Sequence, residues 1–384
     1  MQLLMSNIII MNITMKVKLI TDEFQHRALK STMHTFNAVC NDISERAFKE
    51  KEYQKVQLHH MVYKGQREAL PDFSSQLVIR AIGVVCDSYK VKRNRHKQNY
   101  FKKTSAVVYD DRCITFKGTD SVNIWTNDGR MNIPIHIWNK EQFQYRKGQV
   151  DLVYQNGNFY LLCNLEIPTE NKYSAEGVIG IDLGVKNIAV TSQGDVFSGE
   201  AIEKKRKQYH SHRQRLQKRG TRSARKRIKI SGNKEARFRK DTNHFISKLL
   251  VMKAKALGYS LALEELKNIN KRVTVRRVNR SERMSWSFAQ LRSYITYKAE
   301  LNGVPLVIID PAYTSQTCNN CGHCEKKNRK SQALFFCVSC GHTENADLNA
   351  SKNIARLGEL SISLLFAQPS AELVTSPAPC GRSN

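Results

Sequence analysis

The run VIGIDLGVKNIAVTSQGDVFSG, residues 178–199, decides how the chain is read. It reads as three strands of a meander. Strand alternation puts Val178, Gly180 and Asp182 on one face, and Ile179, Ile181 and Leu183 on the other. An acid at the end of a buried strand is costly unless it is paired or metal-bound. The flanking Gly180 and Gly184 leave room for a phosphate backbone to approach.

Downstream, strands and helices alternate, which places this half in the α/β class. A long basic helical stretch is followed by the strand GYSLALEEL (258–266), a basic loop over Lys267–Arg283 and a helix from about Ser287 to Asn302. The strand VPLVIID (304–310) leads into a cysteine cluster, and a last helix starts at about Asp347. The tail after Leu365 is rich in Ser, Pro and Ala and is expected to be disordered.

Upstream the pattern differs. Residues 106–167 hold short β-prone runs separated by turn signals such as Asn127-Asp128-Gly129 and Asn156-Gly157-Asn158. They predict a small antiparallel unit, a barrel. Residues 21 to about 103 read helical, with Phe24, Leu29, Met33, Phe36, Val39 and Cys40 on one stripe and Leu77, Val78, Ala81, Ile82 and Val85 on another. The second stripe runs into YKVKRNRHKQNYFKK (89–103), which reads either as a solvated helix face or as a contact for a nucleic-acid backbone. If MKVKLI (15–20) is a strand of the barrel, the helices are an insertion into it. Met15 is then an alternative start to Met1. The N-terminus lacks the features of a signal peptide, and no apolar run reaches the roughly 18 residues of a membrane span.

Lys and Arg total 62 against 34 Asp and Glu, a net +28. Such a surplus repels itself and calls for a polyanion, either nucleic acid or an anionic membrane. Its distribution separates the two. Between Lys204 and Lys240 stand 17 Lys/Arg and one acid, Glu235, a net of 17 − 1 = +16. Ordinary solvated helices mix signs at i,i+4, because like charges there repel. This stretch needs phosphates nearby, and the membrane reading loses support. Lys204, Lys205, Arg206, Arg213, Arg215, Arg219, Arg222, Arg225 and Arg227, with Arg276 and Arg277 of the following loop, are the candidate nucleic-acid contacts.

Of ten cysteines, Cys40, Cys86, Cys113, Cys163 and Cys380 are scattered, as buried thiols of a reducing cytoplasm would be. The others cluster. Cys318-x-x-Cys321 and Cys337-x-x-Cys340, with 15 residues between, have the spacing of a four-Cys zinc ribbon. Gly322 and Gly341 follow the pairs and allow the tight turns such a site needs. Cys324 is spare, and His323 and His342 leave an alternative ligand set open. Four thiolates close the site, so the zinc is structural.

Two more acids share the context of Asp182. Glu264 ends an apolar strand, and Asp347 lies in NADLNAS (345–351) at a helix start, where it reads equally well as a cap. Together the three carboxylates can hold two Mg²⁺ ions about 4 Å apart, the clamp used in phosphodiester displacement.

These residues resemble the TnpB (OrfB) family encoded by insertion sequences, relatives of the type V CRISPR effectors. The resemblance lies in GIDLGVKN (180–187), LEEL (263–266), YTSQTCNNCG (313–322), CVSCG (337–341) and NADLNA (345–350). It implies an RNA-guided DNA endonuclease with an RNase H-like, RuvC-type domain over 173–312 and 344–365 and a zinc ribbon at 313–343. By the same resemblance, 1–20 and 104–172 form a wedge-type β-barrel and 21–103 a helical recognition lobe, with 366–384 as the tail. The implied catalytic acids are Asp182, Glu264 rather than Glu265, and Asp347, and the implied partners are guide RNA and target DNA, with no small-molecule substrate. The family's third motif often carries a charged pair where this chain has Asn345-Ala346. Other readings are weaker. The ATP-binding fold that also opens on IDLG needs a Gly-Gly phosphate loop, and the chain has no Gly-Gly pair. The tyrosine transposases need His-apolar-His, whereas His210-Ser211-His212 has a polar centre. A DNA-binding regulator without cleavage would be expected to lack one of the acids.

Overall fold

A computed structural model describes residues 9–184, 186–265, 288–310, 312–331 and 333–367. The chain divides into two units, Met1–Pro168 and Thr169–Asn384. The boundary falls a few residues before the expected one at residue 173.

In the first unit, β1 (Ile10–Leu19) starts ahead of the expected Met15. It pairs antiparallel with β7 (Asn158–Pro168), from Ile10↔Pro168 to Lys18↔Tyr160. On its other side it pairs with β5 (Gly129–His136). With β2 (Val107–Tyr109), β3 (Ile114–Lys117), β4 (Ser121–Thr126) and β6 (Arg146–Gln155) the sheet order is β2-β6-β7-β1-β5-β4-β3. The expected barrel is not closed by hydrogen bonds among the described residues. Its edge strands β2 and β3 are only three and four residues long and each pairs with one neighbour. The Asn156-Gly157 turn joins β6 to β7 with φ of 50° and 82°, the left-handed pair that a two-residue hairpin requires.

Helices α1 (Glu23–Lys49), α2 (Lys55–Ala69) and α3 (Ser75–Tyr89) lie between β1 and β2 in sequence. A capping box starts α1: Asp22 Oδ1 accepts from Gln25 N (2.8 Å) and Gln25 Oε1 from Asp22 N (3.2 Å). Leu29, Met33, Phe36, Val39 and Cys40 are buried as the stripe predicts. Phe24 is 56 % exposed, because five residues before Leu29 it sits about 140° round the helix. The basic run 89–103 is no helix face. It makes a short 3₁₀ turn at Lys92–His96 and then folds back, Asn99 N donating to Tyr89 Oη (2.9 Å) and Asn99 Nδ2 to Ser88 O (3.2 Å). A four-residue helix, α4 (Lys140–Phe143), links β5 to β6.

The second unit is α/β. β8 (Gly177–Asp182), β9 (Asn187–Thr191) and β10 (Val196–Ser198) form the antiparallel meander, and β11 (Tyr259–Glu264) and β12 (Leu306–Ile309) join parallel to β8. The order is β10-β9-β8-β11-β12. The basic stretch is not one helix but a hairpin, α5 (Glu200–Arg219) and α6 (Arg222–Leu257). It breaks where Gly220 takes φ +64° and Thr221 Oγ1 caps Ala224 N at 3.1 Å. Apolar residues of α6 (Ile246, Leu250, Val251, Ala254) and of α7 (Phe288–Leu301) bury Ile179 and Ile181. The opposite face, with Val178, Ala262 and Ile309, packs on Ile354 of α8 (Ala346–Ala367). The two faces of β8 are thus those read from alternation. No described helix is long and apolar enough to cross a membrane. The loop 266–287 and the tail from 368 lie outside the described residues.

Helix α8 crosses β8 at Gly180. A Cβ there would stand 2.1 Å from Ser351 O and 2.3 Å from Ala355 N, both backbone atoms. Gly180→Ala is therefore expected to destabilise the second unit by about 1–3 kcal/mol or more, as overpacking against an unyielding wall does. Gly65→Ala, in open space inside α2, should instead stabilise by up to about 1 kcal/mol. Urea unfolding of the two variants checks this.

Candidate active site

Strands β8 and β11 pair in register up to Ile181↔Leu263. The next residues along, Asp182 and Glu264, are the last of their strands and stand side by side at the sheet's carboxyl edge. Asp347 is the second residue of α8 and reaches that edge because Gly180 lets the helix lie against β8. Asp347 is not the cap. Asn345 Oδ1 accepts from Asp347 N (3.0 Å) and Leu348 N (3.2 Å), which frees the Asp347 carboxylate. Glu265 points elsewhere, into an ion pair with Arg292.

Four further residues complete the site. Asn187 Nδ2 donates to Asp347 Oδ2 at 2.9 Å. Thr314 Oγ1 donates to Glu264 Oε1 at 2.5 Å. Asp310 follows β12 and raises the negative charge near Glu264. Arg329 Nη2 stands 3.7 Å from Asp347 Oδ1, and its charge also reaches Asp182 and Glu264. The sequence reading missed all four. Asn187 and Thr314 lay inside quoted motifs, with a polar side chain beside an acid as the available signal. Arg329 lay in the run Lys326-Lys327-Asn328-Arg329-Lys330, where nothing set it apart.

Burial, then the charges of Glu264 and Asp347, push the Asp182 carboxyl up to about 7, while Arg329 and the Leu183 N–H oppose this. Burial also raises Glu264; Thr314 and Arg329 hold it down while Asp310 adds to the rise. Carboxylates this close repel, and one guanidinium offsets part of that. Hard oxygen donors of this kind suit a divalent cation. The three are not drawn into a single chelating group, however. The cluster found among the described residues with every ligand atom within 4.8 Å of the others is Cys318, Cys321, Cys337 and Cys340.

That cluster can hold a metal ion. Cys318 and Cys340 sulfurs lie 3.8 Å apart, and those of Cys321 and Cys337 3.6 Å. A tetrahedral ion with bonds of about 2.3 Å separates its sulfurs by about 3.8 Å. Both pairs make the same turn. Gly322 N donates to Cys318 O and Cys318 N to His323 O; Gly341 N donates to Cys337 O and Cys337 N to His342 O. The glycines take φ of +79° and +74°. Cys324 is not in the cluster; its backbone pairs with that of Thr317 in an isolated antiparallel β-bridge. Buried Asn349 and Asn353 of α8 tie the first turn to the helix: Asn349 Nδ2 donates to Thr317 O (2.8 Å), and Asn353 Nδ2 to Thr314 O (2.9 Å) and Thr317 O (2.7 Å).

The basic candidates divide. Lys204, Lys205, Arg215, Arg219, Arg222, Arg225 and Arg227 are exposed on α5 and α6. Arg206 and Arg213 are engaged by Glu203 and Glu235. Arg276 and Arg277 lie outside the described residues.

Residues 161–270 match the OrfB_IS605 family, described as "Probable transposase", and residues 288–354 match the Cas12f1-like TNB domain. The CRISPR-associated endodeoxyribonuclease Cas12f1 of Sulfoacidibacillus thermotolerans is 33% identical over 233 residues, 56% of this chain and 54% of that protein. The chain thus spans about half the length of that relative. An Escherichia coli K12 protein named "Putative RNA-guided DNA endonuclease InsQ" is 28% identical over 303 residues, 69% of this chain and 71% of that one. Among solved structures, the mini-RNA-guided endonuclease "CRISPR-Cas_phi3" aligns over 91% of this chain and 92% of its own with a TM-score of 0.51 and 10% identity, a likeness of fold.

The raised Asp182 carboxyl carries a sign. The folded chain holds a proton that the unfolded chain has released between its ordinary value and about 7. Stability is therefore present below that window and is lost as pH rises through about 7. Without added divalent ions, the melting temperature should fall between about pH 6 and about pH 8. Asp182→Asn should shrink that fall and melt above wild type at the higher pH. A variant that melts lower there would contradict the assignment.

Proposed function

For a chain that belongs to the TnpB (OrfB) family, we propose the activity of an RNA-guided, metal-dependent DNA endonuclease encoded by a transposable element. The observation that carries this reading is the convergence of Asp182, Glu264 and Asp347 at one sheet edge beside Arg329.

Asp182, Glu264 and Asp347 are the residues that would hold Mg²⁺, which supplies Lewis acidity and a nucleophilic water when bound. Their own work is to bind and to aim. Asn187 fixes Oδ2 of Asp347, whose Oδ1 faces Arg329, and Thr314 fixes Oε1 of Glu264. Arg329, always charged and with a planar fork of donors, is suited to a phosphate arriving at this edge. The four cysteines would hold Zn²⁺, with a structural role. The α5–α6 hairpin gives guide RNA and target DNA a cationic track, and base pairing with the guide supplies sequence recognition.

The test uses purified protein, the RNA that co-purifies with it, duplex DNA matching that RNA, and Mg²⁺. Wild type is expected to cut. Asp182→Ala, Glu264→Gln and Asp347→Asn should each lose more than about 10²–10³-fold in rate, the scale of removing one preorganised charge, yet still bind target. Glu265→Gln should cut normally. No cleavage by wild type with Mg²⁺ or Mn²⁺ would leave a guided DNA-binding regulator as the reading. For the cysteines, elemental analysis should find one zinc per chain. Cys321→Ser should lose it and expose residues 313–343 to protease, because metal binding supplies that segment's folding energy. Protection unchanged by metal loss would overturn a structural role.

A further inference from the structure

The α5–α6 hairpin contains a cleft of about 410 Å³, within the range of small-ligand sites. Its walls are one stripe of each helix: Lys205, Tyr209 and His212 from α5, and Arg227, Ile230 and Lys234 from α6. Residues at these spacings share a helix face. In an ordinary antiparallel hairpin the facing stripes are apolar and closed. Here they are cationic and open.

Two acids of the hairpin are used elsewhere. Glu203 pairs with Arg206, and Glu235 with Arg213. No acid lines the cleft, and Lys205, Arg227 and Lys234 make no ion pair among the described residues. Like charges facing one another call for an anion between them. A phosphate fits that requirement, but it does not explain the rest of the wall. Tyr209 offers an aromatic face, and Ile230, 47 % exposed, offers an apolar one. An anionic group joined to a flat apolar group is the chemistry of a nucleotide.

We propose that this cleft takes one unstacked nucleotide of a single-stranded segment. Its base stacks on Tyr209 against Ile230, and its phosphates sit on Lys205, Arg227 and Lys234. The inference rests on the nucleic-acid reading above, and it deepens that reading by naming where along the track a base, rather than only backbone, is held. Duplex would not enter, because a paired base has no free face to offer.

The full chain, stripped of bound nucleic acid in high salt, is titrated with labelled oligothymidine and with labelled oligouridine over a series of salt concentrations. Tyr209→Ala is expected to weaken binding by about 5- to 150-fold, the loss of one base stacked on an aromatic ring, with the salt slope unchanged. Tyr209→Trp should retain affinity, and Tyr209→Leu should lose it, which separates stacking from packing. The triple variant Lys205→Gln, Arg227→Gln, Lys234→Gln should lower the log–log salt slope by about 2, three single-strand contacts at roughly 0.7 each. An abasic spacer placed along the oligonucleotide should cost wild type affinity at one position and cost Tyr209→Ala nothing there. The arm that responds, DNA or RNA, identifies the strand. Tyr209→Ala binding both oligonucleotides as tightly as wild type would overturn the proposal. So would an unchanged salt slope in the folded triple variant. If wild type fails to cut its target but the Tyr209 pattern holds, the endonuclease reading falls and the cleft stands. If wild type cuts and Tyr209→Ala binds like wild type, the cleft alone falls.

Discussion

The contact on which the second unit depends is backbone against backbone. At Gly180 helix α8 comes so near strand β8 that no side chain fits between them. Further along, Gly358 of α8 makes a similar approach, where a Cβ would lie 2.7 Å from Ala262 Cβ and 2.9 Å from Val178 Cγ1. Two glycines, one on each partner, therefore set the height of the helix over the sheet. That height decides how far Asp347 stands from the ends of β8 and β11. A larger residue at either point would lift the helix end and carry the third carboxylate away from the other two. The glycine beside the first acid was read from sequence as room for a phosphate. Its neighbours, backbone atoms of Ser351 and Ala355, give it a different and more basic duty.

Once the helix is fixed, the charges follow. Parallel strands end at a common edge, and here β8 and β11 end on Asp182 and Glu264, while Asp310 directly follows β12. Apolar flanks on both faces of β8 and β11 keep water back and raise the first two acids. A group raised in this way favours whatever cation can replace the proton. Arg329 supplies part of that compensation within the chain. A divalent ion would supply more, since two charges at one point interact with every carboxylate in reach. The excess positive charge of the protein lies elsewhere, on the hairpin that leaves the same sheet after β10. The two signs are thus separated along the chain rather than mixed.

Much of this was legible, for identifiable reasons. The meander, the two faces of β8 and the paired turns around the cysteines depend on period-two alternation and on fixed spacing, both of which survive any tertiary context. The Asn156-Gly157 hairpin was legible because few residues accept its φ values. What misled was charge and length. Basic residues favour helix weakly, so 89–103 and 204–240 read as unbroken helices. Local side-chain bonds, from Asn99 and Tyr89 in the first case and Thr221 in the second, ended them. Asp347 read equally well as a cap because a cap needs only one neighbouring residue to settle it. Here that residue is Asn345. Arg329 was illegible, since its partners are brought together only when β8, β11 and α8 have assembled.

The cysteine turns and the carboxylates are joined by two asparagines. Asn349 and Asn353 are one turn apart on α8, both buried, and their amides hold the carbonyls of Thr314 and Thr317. Thr314 in turn holds Glu264, and Arg329 reaches Asp347 from the same cysteine-bearing segment. Each buried amide left without its partner costs about 1–3 kcal/mol, so the segment and the helix are held in one arrangement rather than several. Order imposed on the four sulfurs therefore extends to one oxygen of Glu264 and to the guanidinium beside Asp347. In this arrangement the cysteine segment works as a bracket. It supplies no ligand to the acidic edge, yet two of the groups that aim and neutralise that edge hang from it.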